Sequence, residues 1–378
     1  MDGFDPAICA PPGHPGGPLA ELERLEWRNG DTPDAATALA DFLAAHGLAG
    51  EPAGQTGDTS VVLLIGAVGC AAIGEVPAGA ATPVPAVPEL VAVAVRGPAG
   101  PLPAARPPVV GEWAASWGRH EHAAAVSAVR EAIARGDVYQ ANVVGHRCAP
   151  HSSAPADVAR AVASIGAAYA GVLTGEGWAV GSASPEQLVR VTGRRVTTEP
   201  IKGTRLVGPG AFEELRASRK DRAEHVMIVD LERNDLARVA VTGSVEVESL
   251  YDVTEWSGLW HAGSTVAAEL APGVDVVGLL RAVLPGGSVT GAPKRAACGV
   301  LAALEPVGRG PAMGAFGIVR PGGLDLGLTI RTVAVDSDRV HLWAGGGITW
   351  GSDPLDEVAE AEAKAAPVMR VLSSGAER

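Results

Sequence analysis

The sequence predicts an α+β fold, and three observations carry that prediction. Helical and extended stretches arrive in unequal blocks without βα alternation, which argues against a doubly wound sheet. Hydrophobic residues make up 47% of the 378, enough to bury one large core or two ordinary ones. The 49 glycines and 29 prolines are interleaved with apolar runs, so the chain reads as turn-rich and folded.

Taken in order, the first 110 residues carry 12 acidic side chains against four arginines, and many prolines. Residues 83–108 read as extended strand and linker, because repeated proline removes backbone donors and blocks helix. From about His120 the pattern sharpens. HEHAAAVSAVREAIARGD places Val126, Val129 and Ile133 on one helical face and ends at Gly136. VYQANVVGHR alternates as a strand, and GWAVGSASPEQLVRV and RRVTTEPIKGTR read as further strands. Phe212 to about Leu231 is expected to be helical, and LDLGLTIRTVAVD and RVHLWAGGGITWG to be a strand pair. Asp356 to Leu372 closes the chain as a helix, with Val358, Ala361, Ala365, Val368 and Leu372 at helical spacing.

Charge and composition exclude several functions. A formal charge of −13 argues against the clustered Lys and Arg that a phosphate backbone needs, so no nucleic-acid partner is expected. The longest apolar stretch, Val61 to Gly74, is too short and too glycine-rich to span a membrane. The acidic, proline-rich N-terminus lacks the basic and hydrophobic regions of a signal peptide. Cys9, Cys70, Cys148 and Cys298 are scattered with no CxxC pair, and read as reduced thiols of a cytoplasmic protein.

Of the 30 basic residues only four are lysines: Lys202, Lys220, Lys294 and Lys364. Arginine cannot supply a neutral amine or a compact ammonium, so a lysine retained in this composition is a candidate for such a role. Lys202 follows a strand in PIKGTR and could act as a nucleophile if burial lowers its pKa. A plain turn lysine is the alternative. Glu186, at a strand end in SPEQL, is either an ordinary loop glutamate or, if desolvated, a general acid.

Asp221 and Glu224 lie three apart on one predicted helix, Glu357 and Glu360 on another, with Lys364 four beyond Glu360. Two such carboxylate pairs could hold one Mg²⁺. Spacing alone favours the plainer alternative, solvated helix faces with an i,i+4 Glu–Lys pair. LPGGSVTGAPK lacks the order of a phosphate loop, and AGGGITWG fits either an anion-binding run of amides or a glycine-rich turn. HEH at His120 to His122 lacks zinc-ligand spacing and is expected at the surface, while His261, among apolar residues, fits a core histidine.

In order, SPEQL, PIKGTR, DRAEHVMIVDLERNDLARV, LWHAGSTV, LPGGSVTGAPK, GLTIRT, AGGGITWGSDP and EVAEAEAKA resemble the motifs of the chorismate-utilising enzymes. These are the anthranilate, aminodeoxychorismate, isochorismate and salicylate synthases. The resemblance runs from about residue 120 to the C-terminus and is loose over the first 110 residues. It implies an anthranilate synthase component I-like fold, antiparallel sheets stacked in a core and flanked by helices. Residues 1–110 would be a short N-terminal region and residues 111–378 the chorismate-binding catalytic domain.

Within that group, anthranilate synthases carry a small residue where Lys202 stands, and aminodeoxychorismate synthases carry lysine. The isochorismate and salicylate branches place a water-activating lysine where this chain has Gln140. The pair Lys202 and Gln140 therefore points to the aminodeoxychorismate branch. The anthranilate branch and a non-catalytic chorismate-binding subunit are the alternatives.

The resemblance implies that Lys202 attacks C2 of chorismate while Glu186 protonates the departing C4 hydroxyl, with His261 near the reacting centre. Glu224 and Glu360 would bind Mg²⁺, and Asp221 and Glu357 would reach it directly or through water. Arg331 and the amides of Gly345, Gly346 and Gly347 would hold the enolpyruvyl carboxylate. Gly203, Thr204 and Thr290 would line the ring, Lys364 would lie near a carboxylate, and Gln140 would face the substrate. Ammonia would come from a separate glutamine amidotransferase subunit, since no cysteine here sits in such an arrangement. One departure stands out: Ala312 occupies the place of a family tyrosine that contacts the enolpyruvyl carboxylate. Loss of one such hydrogen bond to a charged group costs about 1.5–3 kcal/mol.

Overall fold

The computed structural model describes residues 20–97, 104–256 and 259–373, so Cys9 and the proline-rich N-terminus lie outside the described residues. The chain opens with β1 (Ala20–Trp27), α1 (Ala35–Ala45), β2 (Thr59–Ile65), α2 (Ala67–Gly74) and β3 (Leu90–Arg96). The expected extended run at 83–108 thus contains a true strand. Next come β4 (Ala114–Ala115), α3 (Arg119–Arg135), β5 (Gln140–Pro150), α4 (Pro155–Ala163), β6 (Tyr169–Gly175) and β7 (Trp178–Ser184). They lead to β8 (Gln187–Thr192), β9 (Arg195–Glu199), β10 (Ile201–Leu206), α5 (Ala211–Ala217) and α6 (Arg219–Ala237). The hairpin β11 (Glu246–Trp256) and β12 (Leu259–Glu269) precedes α7 (Val276–Val283), β13 (Gly291–Ala292) and α8 (Lys294–Leu304). Last are β14 (Ala315–Arg320), β15 (Gly323–Leu328), β16 (Thr332–Val335), β17 (Arg339–Ile348) and α9 (Pro354–Ser373).

Two antiparallel sheets organise these elements, as an α+β fold requires. The first runs β1-β3-β2-β14-β15-β8-β9-β12-β10, with β11 also on β12; the second runs β13-β5-β17-β16-β7-β6, with β4 on β5. β2 shares the first sheet with later strands, pairing with β14 from Val61↔Val319 to Ile65↔Ala315. Val61 to Ile65 and Leu90 to Ala94 are wholly buried, as an apolar run in a sheet covered on both faces must be. At the edge, β1 reads AELERLEW, and its charged side chains blunt pairing with another chain.

The expected helix over 212–231 is two helices. Ser218 adopts an extended conformation between them and its side chain accepts the Asp221 N–H, capping α6. That break orients α6 so that His225, Ile228, Val229, Glu232, Asp235 and Leu236 face inward. Among the described residues no helix is long and apolar enough to cross a membrane.

Candidate active site

In the candidate site β10 of the first sheet comes close to β17 of the second. Lys202 lies in β10, and its Nζ donates to the Ser288 carbonyl at 3.1 Å. The next residue, Gly203, has φ +83, a left-handed conformation that a side chain rarely adopts; a Cβ there would also press on Leu215 and Asp221. This twist lets Lys202 point inward while Thr204 pairs with His261, Oγ1 to Nδ1, at 3.0 Å.

Burial depresses the Lys202 pKa, and the Glu186 carboxylate partly opposes the shift. Glu186 is buried just before β8; desolvation raises its pKa, while Lys202 and the Ser288 hydroxyl act against that. One removes the charge of an amine, the other the charge of a carboxylate. Burial thus favours the neutral pair that an attacking amine and a donating acid require.

Gln140, at the start of β5, is 0% exposed, and neither Oε1 nor Nε2 has a hydrogen-bond partner among the described residues. A buried primary amide left unpaired is costly, so bound water or a ligand group is expected to complete its hydrogen bonds. Gly347 of β17 allows this arrangement: a Cβ there would overlap the Gln140 amide nitrogen and stand 3.7 Å from Lys202 Nζ. Gly347→Ala is therefore expected to lower kcat/KM on the order of 10²-fold by displacing Gln140. Steady-state kinetics checks this: Gly347→Ala combined with Gln140→Ala should be no worse than Gln140→Ala alone.

Gly346 faces the other way, toward α9. A Cβ on it would lie 3.0 Å from Glu357 Oε2 and 3.8 Å from both Glu360 Oε1 and Lys364 Nζ. Lys364 Nζ donates to the Gly345 carbonyl at 3.0 Å and pairs with Glu360 at 2.7 Å. The charges of Glu224 in α6 and Glu360 in α9 both act to raise the Lys202 pKa, against the effect of burial. Asp221 instead pairs with Arg205 at 3.1 Å.

Among the described residues no three His, Cys, Asp or Glu side chains are gathered tightly enough to cage a metal. Mg²⁺ does not need such a cage, since it keeps several waters and takes one or two carboxylates plus an anionic substrate. The oxygen donors Glu224 and Glu360, both near enough for their charges to act on Lys202, fit that mode.

Arg331 has φ +48, a left-handed backbone rare for a residue with a side chain. It lies close enough to Glu186 and His261 to influence both, and burial lowers its own pKa. Burial and the Arg331 cation push the His261 pKa down to about 4, so its ring is neutral near pH 7. Thr290 is buried, with its hydroxyl donating to the Gly286 carbonyl at 2.8 Å. Ala312 is 1% exposed in the turn before β14, beside Met313, whose N–H donates to the Thr329 carbonyl.

Two buried groups near this centre are absent from the sequence reading. His225 of α6 is wholly buried, its Nε2 is 2.6 Å from Ser264 Oγ, and burial and the Lys202 cation push its pKa down to about 4. Glu232, two turns on, accepts from Thr198 Oγ1 at 2.7 Å; burial raises its pKa well above the usual range, with Glu186 adding to the effect. Polar residues at positions 225, 232 and 235 on the buried stripe with Ile228, Val229 and Leu236 were the available signal.

Lys294 is structural. Its Nζ pairs with Asp235 at 2.7 Å and donates to the Val283 carbonyl at 3.0 Å, with both side chains largely buried. Lys294→Ala leaves a buried carboxylate without its cation, and is expected to cost about 3–5 kcal/mol of stability. Urea unfolding of the two proteins measures it. His122, expected at the surface, is instead buried: its ring stacks on Trp117 with centroids 4.8 Å apart.

Residues 77–370 match the family model of the chorismate binding enzymes. The chain is 42% identical over 271 residues to anthranilate synthase component 1 of Streptomyces coelicolor, covering 69% of this chain and 53% of that protein. It is 34% identical over 277 residues to aminodeoxychorismate synthase component 1 of Bacillus subtilis, covering 71% and 58%. The chain thus spans a little over half the length of these curated relatives. Its fold matches the crystal structure of anthranilate synthase component I from Streptococcus pneumoniae with a TM-score of 0.76 at 23% identity, covering 98% of this chain and 95% of that one. It also matches the menaquinone-specific isochorismate synthase of Escherichia coli with a TM-score of 0.66 at 18% identity, covering 98% and 96%.

Proposed function

We propose, on the premise that this chain belongs to the chorismate binding enzyme family, that it acts as an aminodeoxychorismate synthase component I. The observation that carries the proposal is Lys202, an inward-turned amine kept from full basicity by burial and set against the buried acid Glu186.

In this reading the neutral Lys202 amine attacks C2 of chorismate. The ring π system shifts, the C4–O bond breaks, and Glu186 gives its proton to the departing hydroxyl, which leaves as water. Ammonia then attacks C4, the π system shifts back, and the C2–Nζ bond breaks to return Lys202. Gln140 orients the reactants through its unpaired amide, and the neutral His261 ring lies beside them, held by Thr204. Arg331 and the amides of Gly345 to Gly347 hold the enolpyruvyl carboxylate; Gly203 and Thr290 bound the ring. Mg²⁺, held by Glu224 and Glu360 with Glu357 and Asp221 behind them, would offset the charge of the ring carboxylate and fix its position. The ammonia is supplied by a separate glutamine amidotransferase subunit.

The second reading is anthranilate synthase component I, favoured by the higher identity to the Streptomyces coelicolor protein. Incubation with chorismate and Mg²⁺ in the absence of ammonia separates the two. The proposal expects intact mass to rise by one chorismate less one water, and peptide mapping to place the addition on Lys202. An unmodified Lys202, with anthranilate formed once ammonia is added, would favour the second reading.

A further inference from the structure

We propose that a second cleft, on the face of β17 opposite Lys202, binds a small aromatic monocarboxylate. Along β17, Gly347 turns toward Gln140 and Lys202, whereas Leu342 and Ala344, on the alternate positions, face a cleft of about 190 Å³ beneath α9. The cleft is walled by the start of α3, the middle of β5 and the flank of α9 that carries Ala361 and Glu362. A cavity of roughly 150 Å³ holds a benzene ring, so this one takes a single substituted ring and little more.

The wall supplies both halves of such a ligand's recognition. Arg119 Nη1 and Arg147 Nη2 converge on the one carboxylate of Glu362, at 2.9 and 3.4 Å. Two guanidiniums against one carboxylate leave a net positive charge and unused donors in a fork geometry that matches a second carboxylate. Beside them the Trp117–His122 stack, with ring planes 19° apart, offers an aromatic surface. The Trp117 Nε1 atom itself is closed off against Gly145, so the polar recognition rests on the two guanidiniums. Small residues, Ala344 and Ala361 among them, leave room for the ring. His146 also lines the cleft but is committed elsewhere: Nδ1 to Ser116 at 2.5 Å and Nε2 to His341 at 3.1 Å. It is wall, not contact.

Binding in this cleft is independent of which reaction the centre at Lys202 performs. The test is calorimetric or ligand-observed NMR titration of the full chain with benzoate, in the unmodified protein and in Arg147→Met, Ala361→Leu and Arg331→Ala. Thermal melts verify that each variant is folded. Binding is expected in the unmodified protein, weakened about ten- to hundredfold in Arg147→Met, as loss of a hydrogen bond to a charged group predicts. It should be blocked in Ala361→Leu, which fills the cleft, and retained in Arg331→Ala, which alters the other centre. No binding, binding indifferent to Arg147→Met, or binding lost in Arg331→Ala would overturn the proposal. Equal binding of cyclohexanecarboxylate would overturn its aromatic part.

Discussion

If the chain acts as proposed, Lys202→Ala is expected to lower formation of 4-amino-4-deoxychorismate by a factor on the order of 10³ or more, because it removes the proposed nucleophile, which divides one difficult substitution into two. The loss is chemical. Lys202 contributes one hydrogen bond, to the Ser288 carbonyl, so the thermal midpoint should move little. With the amine gone, C2 is open to ammonia itself, and the small side chain then resembles that of the anthranilate branch. Residual turnover should therefore shift toward anthranilate with release of pyruvate. Product analysis by mass, run beside the unmodified protein, reads both the drop and the diversion. An Ala variant making 4-amino-4-deoxychorismate at the original rate would remove Lys202 from the mechanism.

Glu186→Gln is expected to reduce kcat on the order of 10²–10⁴-fold, the contribution of a positioned general acid. Glutamine keeps the shape and removes the proton, so substrate binding should change less than turnover. The pH dependence gives a sharper check. In the proposed mechanism Glu186 acts while protonated, so activity is lost as pH rises through its elevated pKa. In the same mechanism Lys202 acts while neutral, so activity is gained as pH rises through its depressed pKa. Coupling between the two means that the limbs of the resulting bell belong to the pair. In Glu186→Gln the high-pH limb should vanish while the low-pH limb persists. A variant that keeps the high-pH limb would assign it to another group, and Glu232 is the buried acid best placed to supply it.

Much of this arrangement is legible in the sequence, for reasons that differ by element. The α9 stripe at Val358, Ala361, Ala365, Val368 and Leu372 is buried as its spacing predicts, and α3 ends at Gly136 in the left-handed conformation that glycine tolerates. The scarcity of lysine pointed to Lys202, which turns inward, yet it pointed equally to Lys294, which serves an ion pair. Composition marks a constraint on residue type without saying whether that constraint is chemical or structural. The break at Ser218 was hidden because a serine within a helical pattern reads as an exposed helix residue until its hydroxyl is seen to cap the next helix. His122 was misplaced because its burial depends on Trp117 and on Gly145 of β5, contacts that local spacing cannot carry. The unpaired amide of Gln140 is likewise a property of two strands meeting, since Gly347 makes its space from 207 residues away.

Whether Lys202 directs an amino group to C4 of chorismate is read from the identity of the product. The purified protein is incubated with chorismate, Mg²⁺ and ammonium salt, and the mixture is examined by mass before and after an aminodeoxychorismate lyase is added. The expected product retains the enolpyruvyl group and is converted by the lyase to 4-aminobenzoate. Fluorescent anthranilate and free pyruvate from the unmodified protein, before any lyase is present, would contradict that role for Lys202.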